Sequence, residues 1–185
     1  MKKLFFIFTL AALILTASSC RTLPGRDEVT SSLLLPYDAK IAVNDGGDVY
    51  VASVSYDGGT LCLKFSEPSL LCGISYGFSG KNSYIVYNEL YIPFAEGKSG
   101  DRISNGVLVW KKMLLPEGGG TVRRVSEGQK RYYVLTDGET EYFFDCETGA
   151  PASIRSGDIT ITFSDFRGKN DTASEGTGAD LRVGS

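Results

Sequence analysis

Between Asp48 and Phe65 the chain reads DVYVASVSYDGGTLCLKF, two β-prone runs on either side of Asp57-Gly58-Gly59. A run of alternating side chains closed by a glycine-containing turn recurs along most of the sequence, and it limits the fold more than any other feature. Period-two alternation places every second side chain on one face of a strand, and a short Asp-Gly turn returns the chain antiparallel to itself. In TLCLKF, Leu61, Leu63 and Phe65 share one face and Thr60, Cys62 and Lys64 the other. The same grammar predicts a late meander: Lys130–Thr136, a turn at 137–139, Thr140–Asp145, a turn at 147–149, Ala152–Arg155, a turn at 156–158, and Ile159–Phe163. GISYGFS and SYIVYNELYIPF supply further strands. One side of such a sheet is apolar and the other wet.

One segment has a different period. Ile103, Val107, Trp110 and Leu114 recur at spacings of four, three and four, the stripe of a helix that buries one face. Ser104 is placed to cap it and Pro116 lies beyond its end. A second, short helix is expected over Ser31–Leu35. The fold class that follows is mainly β (α+β): about eight to eleven strands in a curved antiparallel sheet, an incomplete β-barrel with one or two helices packed in or over its open side. No internal repeat of fixed period points to a propeller or solenoid.

The N-terminus, MKKLFFIFTLAALILTASSC, has two lysines, an apolar core from Leu4 to Leu15 and small residues up to Cys20. That is the layout of a bacterial export signal, and its core is shorter than the ~20 apolar residues of a membrane span. A thiol at the cleavage point resembles a lipobox, with Ala17 where Leu is favoured. On this reading residues 1–19 are a lipoprotein signal peptide and Cys20 carries a diacylglyceryl group and further acylation such as palmitate. Residues 20–35 are the lipidated cysteine and its tether, 36–167 the domain, and 168–185 a polar, glycine-rich disordered tail. Ordinary secretion without lipid is the alternative, since Ala17 and Ser19 also suit a general signal peptidase. Either route places the domain on the extracytoplasmic side, and lipidation holds it at the cell membrane.

Composition narrows the chemistry. Removing Lys2 and Lys3 with the leader takes the formal charge from −3 to −5, the wrong sign for nucleic acid. The chain has no histidine, which excludes a Ser-His-Asp triad, a Cys-His pair and His-ligated zinc. Cys62, Cys72 and Cys146 lack CxxC spacing, so thiolate zinc and thioredoxin-like chemistry do not fit. Cys62 and Cys72 flank one short connection and form the candidate disulfide. The alternative is that all three thiols are free, small hydrophobes. Asp57, Asp137, Glu139, Glu147 and Asp158 stand beside glycines at turns, where such residues are commonplace. EGGGT at Glu117–Thr121 lacks the Lys-Ser/Thr of a phosphate loop, and DGGD at Asp45–Asp48 is too short for a calcium site and reads as a hairpin turn. No catalytic residue, metal or cofactor is expected. Ten Tyr and ten Phe pack the sheet faces or line an apolar surface for an acyl chain or a partner.

LKFSEPSLLCGISYGFSG (Leu63–Gly80) and YYVLTDGETEYFFDCETGAPASIRSGDITITFSDF (Tyr132–Phe166) carry a family pattern: apolar-x-Phe-x-x-Pro before a Gly-opened strand, and a Thr148-Gly149-Ala150-Pro151 turn before ITITFSDF. The pattern resembles the LolA/LolB-like lipoprotein carrier and receptor superfamily, and small lipoproteins of clostridial-type bacteria with that fold. The resemblance implies a half-open barrel without enzymatic activity, whose cavity takes an acyl chain, a lipid or a lipidated protein. Docking of a protein partner through a sheet edge or an aromatic patch is the alternative. A carboxylate hydrolase would need two acids converging in a cleft, and nothing in the sequence asks for it.

Overall fold

The computed structural model describes residues 23–80, 82–94, 102–116 and 119–169. The proposed signal peptide, Cys20 and residues 170–185 lie outside the described residues.

Helix α1 (Arg26–Leu34) is followed by β1 (Tyr37–Asp45), β2 (Asp48–Tyr56), β3 (Thr60–Glu67), a 3-10 turn (Ser69–Leu71), β4 (Ser75–Ser79), β5 (Asn82–Tyr87) and β6 (Leu90–Phe94). Helix α2 (Arg102–Leu114) then leads to β7 (Thr121–Glu127), β8 (Lys130–Asp137), β9 (Thr140–Asp145), β10 (Pro151–Ser156) and β11 (Ile159–Gly168). The strands form one 11-stranded sheet in the order β6-β5-β4-β3-β2-β1-β11-β10-β9-β8-β7. Every pairing is antiparallel. Two meanders meet where β1 pairs with β11, and β6 and β7 are left as the edges. The sheet curves without closing, an open half-barrel with two helices.

The alternation read from sequence decides which face is buried. Tyr37, Ala39, Ile41 and Val43 of β1 turn inward, as do Ala52 and Val54 of β2, Leu61, Leu63 and Phe65 of β3, and Ile161 and Phe163 of β11. All belong to a single core cluster with Val107, Trp110, Met113 and Leu114 of α2. At the β1–β2 turn Gly46 and Gly47 take φ of 60° and 99°, and the Gly47 N–H donates to Asn44 Oδ1 at 3.1 Å. This is a left-handed turn suited to glycine.

Several expectations need correction. The stretch 20–35 is not all tether, because α1 begins at Arg26 and buries Val29, Thr30 and Leu33. That helix also starts well before the expected Ser31. Asp27 and Glu28 lie in its first turn, where acidic groups favour the helix, but two buried apolar residues are too faint a period to read. Ser104 is no cap: it lies within α2 and is buried. SYIVYNELYIPF divides into β5 and β6 at Asn88-Glu89, whose φ of 47° and 67° make the tight turn. Gly168, assigned to the tail, is the last residue of β11 and pairs with Tyr37. The proposed Cys62–Cys72 bridge is absent and all three domain cysteines are free. Gly73 bonds back to Phe65, three residues along β3 from Cys62. That offset is roughly 10 Å at a strand's rise, beyond the ~7 Å that a disulfide spans between Cα atoms.

Candidate functional site

The concave face is assembled from aromatic residues that α2 clamps against the sheet. Trp110 is 1% exposed, with its ring centroid 5.0 Å from that of Tyr50 and 6.1 Å from that of Phe65. Phe65 meets Tyr76 edge-on at 5.8 Å, and Tyr76 and Phe78 meet Phe94 at 6.0 and 6.3 Å. The Lys111 ammonium stands 5.1 Å from the Phe78 ring centroid, a cation–π contact from the helix to the sheet. Gly106 lies beside Asp45 and the Trp110 ring, where an added Cβ would make ordinary contacts at 3.4 Å. Two buried polar atoms, Trp110 Nε1 and the Tyr37 hydroxyl, have no hydrogen-bond partner among the described residues. Burial, with the neighbouring Tyr56, raises the Tyr37 pKa well above the ordinary phenol value.

Toward β6 the same face is uncovered. Ile92 pairs with Ile85, which packs against the core, and Leu90 pairs with Tyr87. Opposed residues in an antiparallel pair share a face, so Tyr87, Leu90 and Ile92 continue the concave surface, and all three are exposed. Because connections alternate between sheet ends, the β1–β2, β3–β4 and β5–β6 turns emerge together. Leu70, in the β3–β4 connection, is 89% exposed, Leu90 is 64% exposed, and Val49 beside the β1–β2 turn is also exposed. The β8–β9 and β10–β11 turns at that end carry Asp137-Gly138-Glu139 and Ser156-Gly157-Asp158 instead. The exposed leucines of that end, Leu70 and Leu90, stand among the acidic and polar turn residues Glu67, Asn88 and Glu89.

Asp57, one of the acids noted in the sequence, shapes a turn, and so does Asp145. Asp57 Oδ1 accepts from the N–H groups of Gly59 and Thr60 at 2.9 and 2.6 Å. Asp145 Oδ1 accepts from the N–H groups of Glu147 and Thr148 at 2.8 and 3.0 Å. These bonds hold both carboxyls below their usual range. Glu147 is exposed, 3.7 Å from Arg131. Among the described residues no three Cys, Asp or Glu side chains converge as metal ligands, and no helix is long and apolar enough to cross a membrane. Cys62 is half-buried on the convex face, where desolvation pushes its thiol pKa up against the opposing influence of Lys64. Cys72 is exposed. Sequence reading did not single out Leu70, Leu90 or Ile92. The adjacent leucines in PSLL, just after a proline, were the available signal.

No protein-family model matches the chain, and no curated protein does. Among solved structures, an uncharacterized conserved protein from Thermus thermophilus aligns with a TM-score of 0.52 at 13% identity, over 77% of this chain and 83% of that one. The two share a fold. A LolA superfamily protein, NE2245 from Nitrosomonas europaea, aligns over 79% of this chain and 94% of its own at 11% identity and a TM-score of 0.39. MucB aligns over 77% of this chain and 58% of its own at 12% identity and a TM-score of 0.46.

Proposed function

We propose that this protein is a non-catalytic, LolA/LolB-like envelope lipoprotein, anchored at the extracytoplasmic face of the cell membrane through Cys20, whose half-barrel binds an apolar ligand: an acyl chain, a lipid or a lipidated protein. The observation that carries the reading is the continuation of the concave aromatic face into the exposed Tyr87, Leu90 and Ile92, beside Leu70. An apolar surface that begins in a core and emerges at one end of an open sheet suits a chain-like apolar ligand better than it suits water. Phe65, Tyr76 and Phe78 pack under α2, and Tyr87, Leu90 and Ile92 extend the same face as the exposed surface open to such a ligand.

A second reading is that the apolar end docks a protein. It is favoured by β6, an edge strand with exposed Leu90, Tyr91 and Ile92 that is open to pairing by an added strand.

Mass spectrometry of the exported chain under native and then denaturing conditions tests the function. The expected result is a co-purifying lipid or fatty acid released on denaturation, with Cys20→Ser moving the protein from the membrane fraction to the soluble one. A clean apo mass without a lipid-dependent thermal shift would overturn ligand binding in favour of docking. Retention of Cys20→Ser in the membrane fraction would overturn the anchor.

A further inference from the structure

On the convex face, where β1 lies between β2 and β11, a groove of about 490 Å³ opens. Its shape depends on a bulge. Asp38 pairs with Arg167 and Lys40 with Ser164, so Ala39 alone opposes both Asp165 and Phe166. Asp165 takes a φ of 52°, a left-handed conformation that costs a non-glycine residue about 1 kcal/mol or more. The extra residue inverts the alternation that follows. Phe166 turns inward and stacks on Tyr37 with centroids 5.2 Å apart, while Asp165 and Arg167 both line the convex groove. Without the bulge, strict alternation from Phe163 would carry Arg167 to the core side and Phe166 to solvent.

The charges within the groove do not cancel. Lys40 binds Asp165 at 3.1 Å and Lys169 binds Asp38 at 3.2 Å, which neutralises both acids. Lys169 also donates to Ser55 Oγ at 2.9 Å, leaving the Ser55 O–H to donate outward. Lys64 of β3 and the re-aimed Arg167 line the same groove, and among the described residues neither has a carboxylate within ion-pair distance. In a chain of formal charge −3, an excess of positive charge gathered about a groove needs a reason. We propose that this groove binds a phosphate group between Lys64 and Arg167, with the serine hydroxyls as further donors. Lys64 on β3 and Arg167 on β11 face the groove from opposite sides of β2 and β1. The guanidinium fork therefore matches two phosphate oxygens at once from one wall, and the ammonium adds a compact charge from the other. Phosphate suits the site better than a single carboxylate because two unpaired cations face one opening. The group could belong to a phospholipid headgroup or to a soluble phosphate ester. This site lies on the opposite face from the apolar surface and does not depend on it.

The test titrates the exported chain with glycerol 3-phosphate by calorimetry and measures its association with vesicles of phosphatidylglycerol and of phosphatidylcholine. Both cations are exposed, so Lys64→Glu/Arg167→Glu should fold, which circular dichroism checks. Lys112→Glu/Lys130→Glu, at the end of α2 and the distant β7–β8 turn, matches the double variant in net charge. The expected result is saturable binding of glycerol 3-phosphate that the double variant weakens about tenfold or more and the control leaves intact. An accompanying loss of phosphatidylglycerol preference in the double variant would assign the phosphate to a lipid headgroup. Loss confined to the soluble ester would assign it to a free phosphate compound. No saturable binding of either, equal affinity in the double variant, or equal competition by chloride would overturn the proposal.

Discussion

Trp110 and Tyr37 show how much a residue's setting alters its value. Both are almost completely buried, and each carries a polar atom without a partner among the described residues. For Trp110 the aromatic contacts to Tyr50 and Phe65 outweigh the unmatched N–H, and Trp110→Ala should cost about 3–5 kcal/mol through lost transfer energy and the cavity left behind. For Tyr37 the ring is the useful part. Tyr37→Phe keeps the stacking on Phe166 and the contact with Tyr56 while removing an unsatisfied hydroxyl, and should raise stability by about 1 kcal/mol. Urea denaturation of the two variants checks both signs, and a loss on Tyr37→Phe would show that the hydroxyl has a partner. The stripe containing Trp110 was legible because helical period survives in one dimension. Tyr37 was not singled out, although Pro36 closes α1 before it and Tyr37, Ala39, Ile41 and Val43 alternate along β1.

Among the secondary elements, β4–β6 depend on a glycine. A Cβ built at Gly77 would overlap the Tyr84 ring, which crosses the strand and stacks on Tyr91 with centroids 4.6 Å apart. An aromatic ring laid over a cross-strand glycine replaces the missing side-chain contact and braces the edge of the sheet. Gly77→Ala should expel the ring and destabilise the protein by up to about 1 kcal/mol, the scale of one cross-strand pair. Adding Tyr84→Ala should cost less in that background than in the wild type, because the ring has already lost its place. Equilibrium unfolding of the single and double variants provides the cycle, and simple additivity would refute the bracing role. GISYGFS was readable as a strand from its alternation. The reason for its glycine was not, because the partner is Tyr84, brought opposite only by strand pairing. The free Cys62 and Cys72 make the same point, as their closeness along the chain is undone by the extension of β3.

Across the domain, the absence of histidine shapes the response to pH. Asp57 and Asp145 have depressed pKa values, so the stability they contribute is present above the unfolded carboxyl value and is lost as pH falls below about 4. Burial raises the pKa of Tyr142 to about 12, and that of Tyr37 further. Their contribution is full below the unfolded phenol value and declines as pH rises above about 10. Burial also raises the Cys62 and Cys146 thiols, which adds to the alkaline loss. The chain has no histidine to change charge between these limits, and thermal stability should be nearly flat from about pH 5 to 8. A scan of Tm across pH 3–11 should show a plateau with two falling sides, and a step near pH 6–7 would contradict this account.

Local pattern was enough for the fold class, the strands of the late meander, the buried face of β3 and the helical stripe of α2, because each rests on a period carried by neighbouring residues. Composition was enough to exclude histidine-dependent chemistry. Long-range packing was needed to join the two meanders through β1 and β11, to bring α1 into the core, and to gather the exposed leucines at one end. It was also needed for the single bulged residue that turns Arg167 out beside Lys64. These depend on pairing register and on which connections share an end, relations between residues far apart in the chain that no local pattern of side chains encodes.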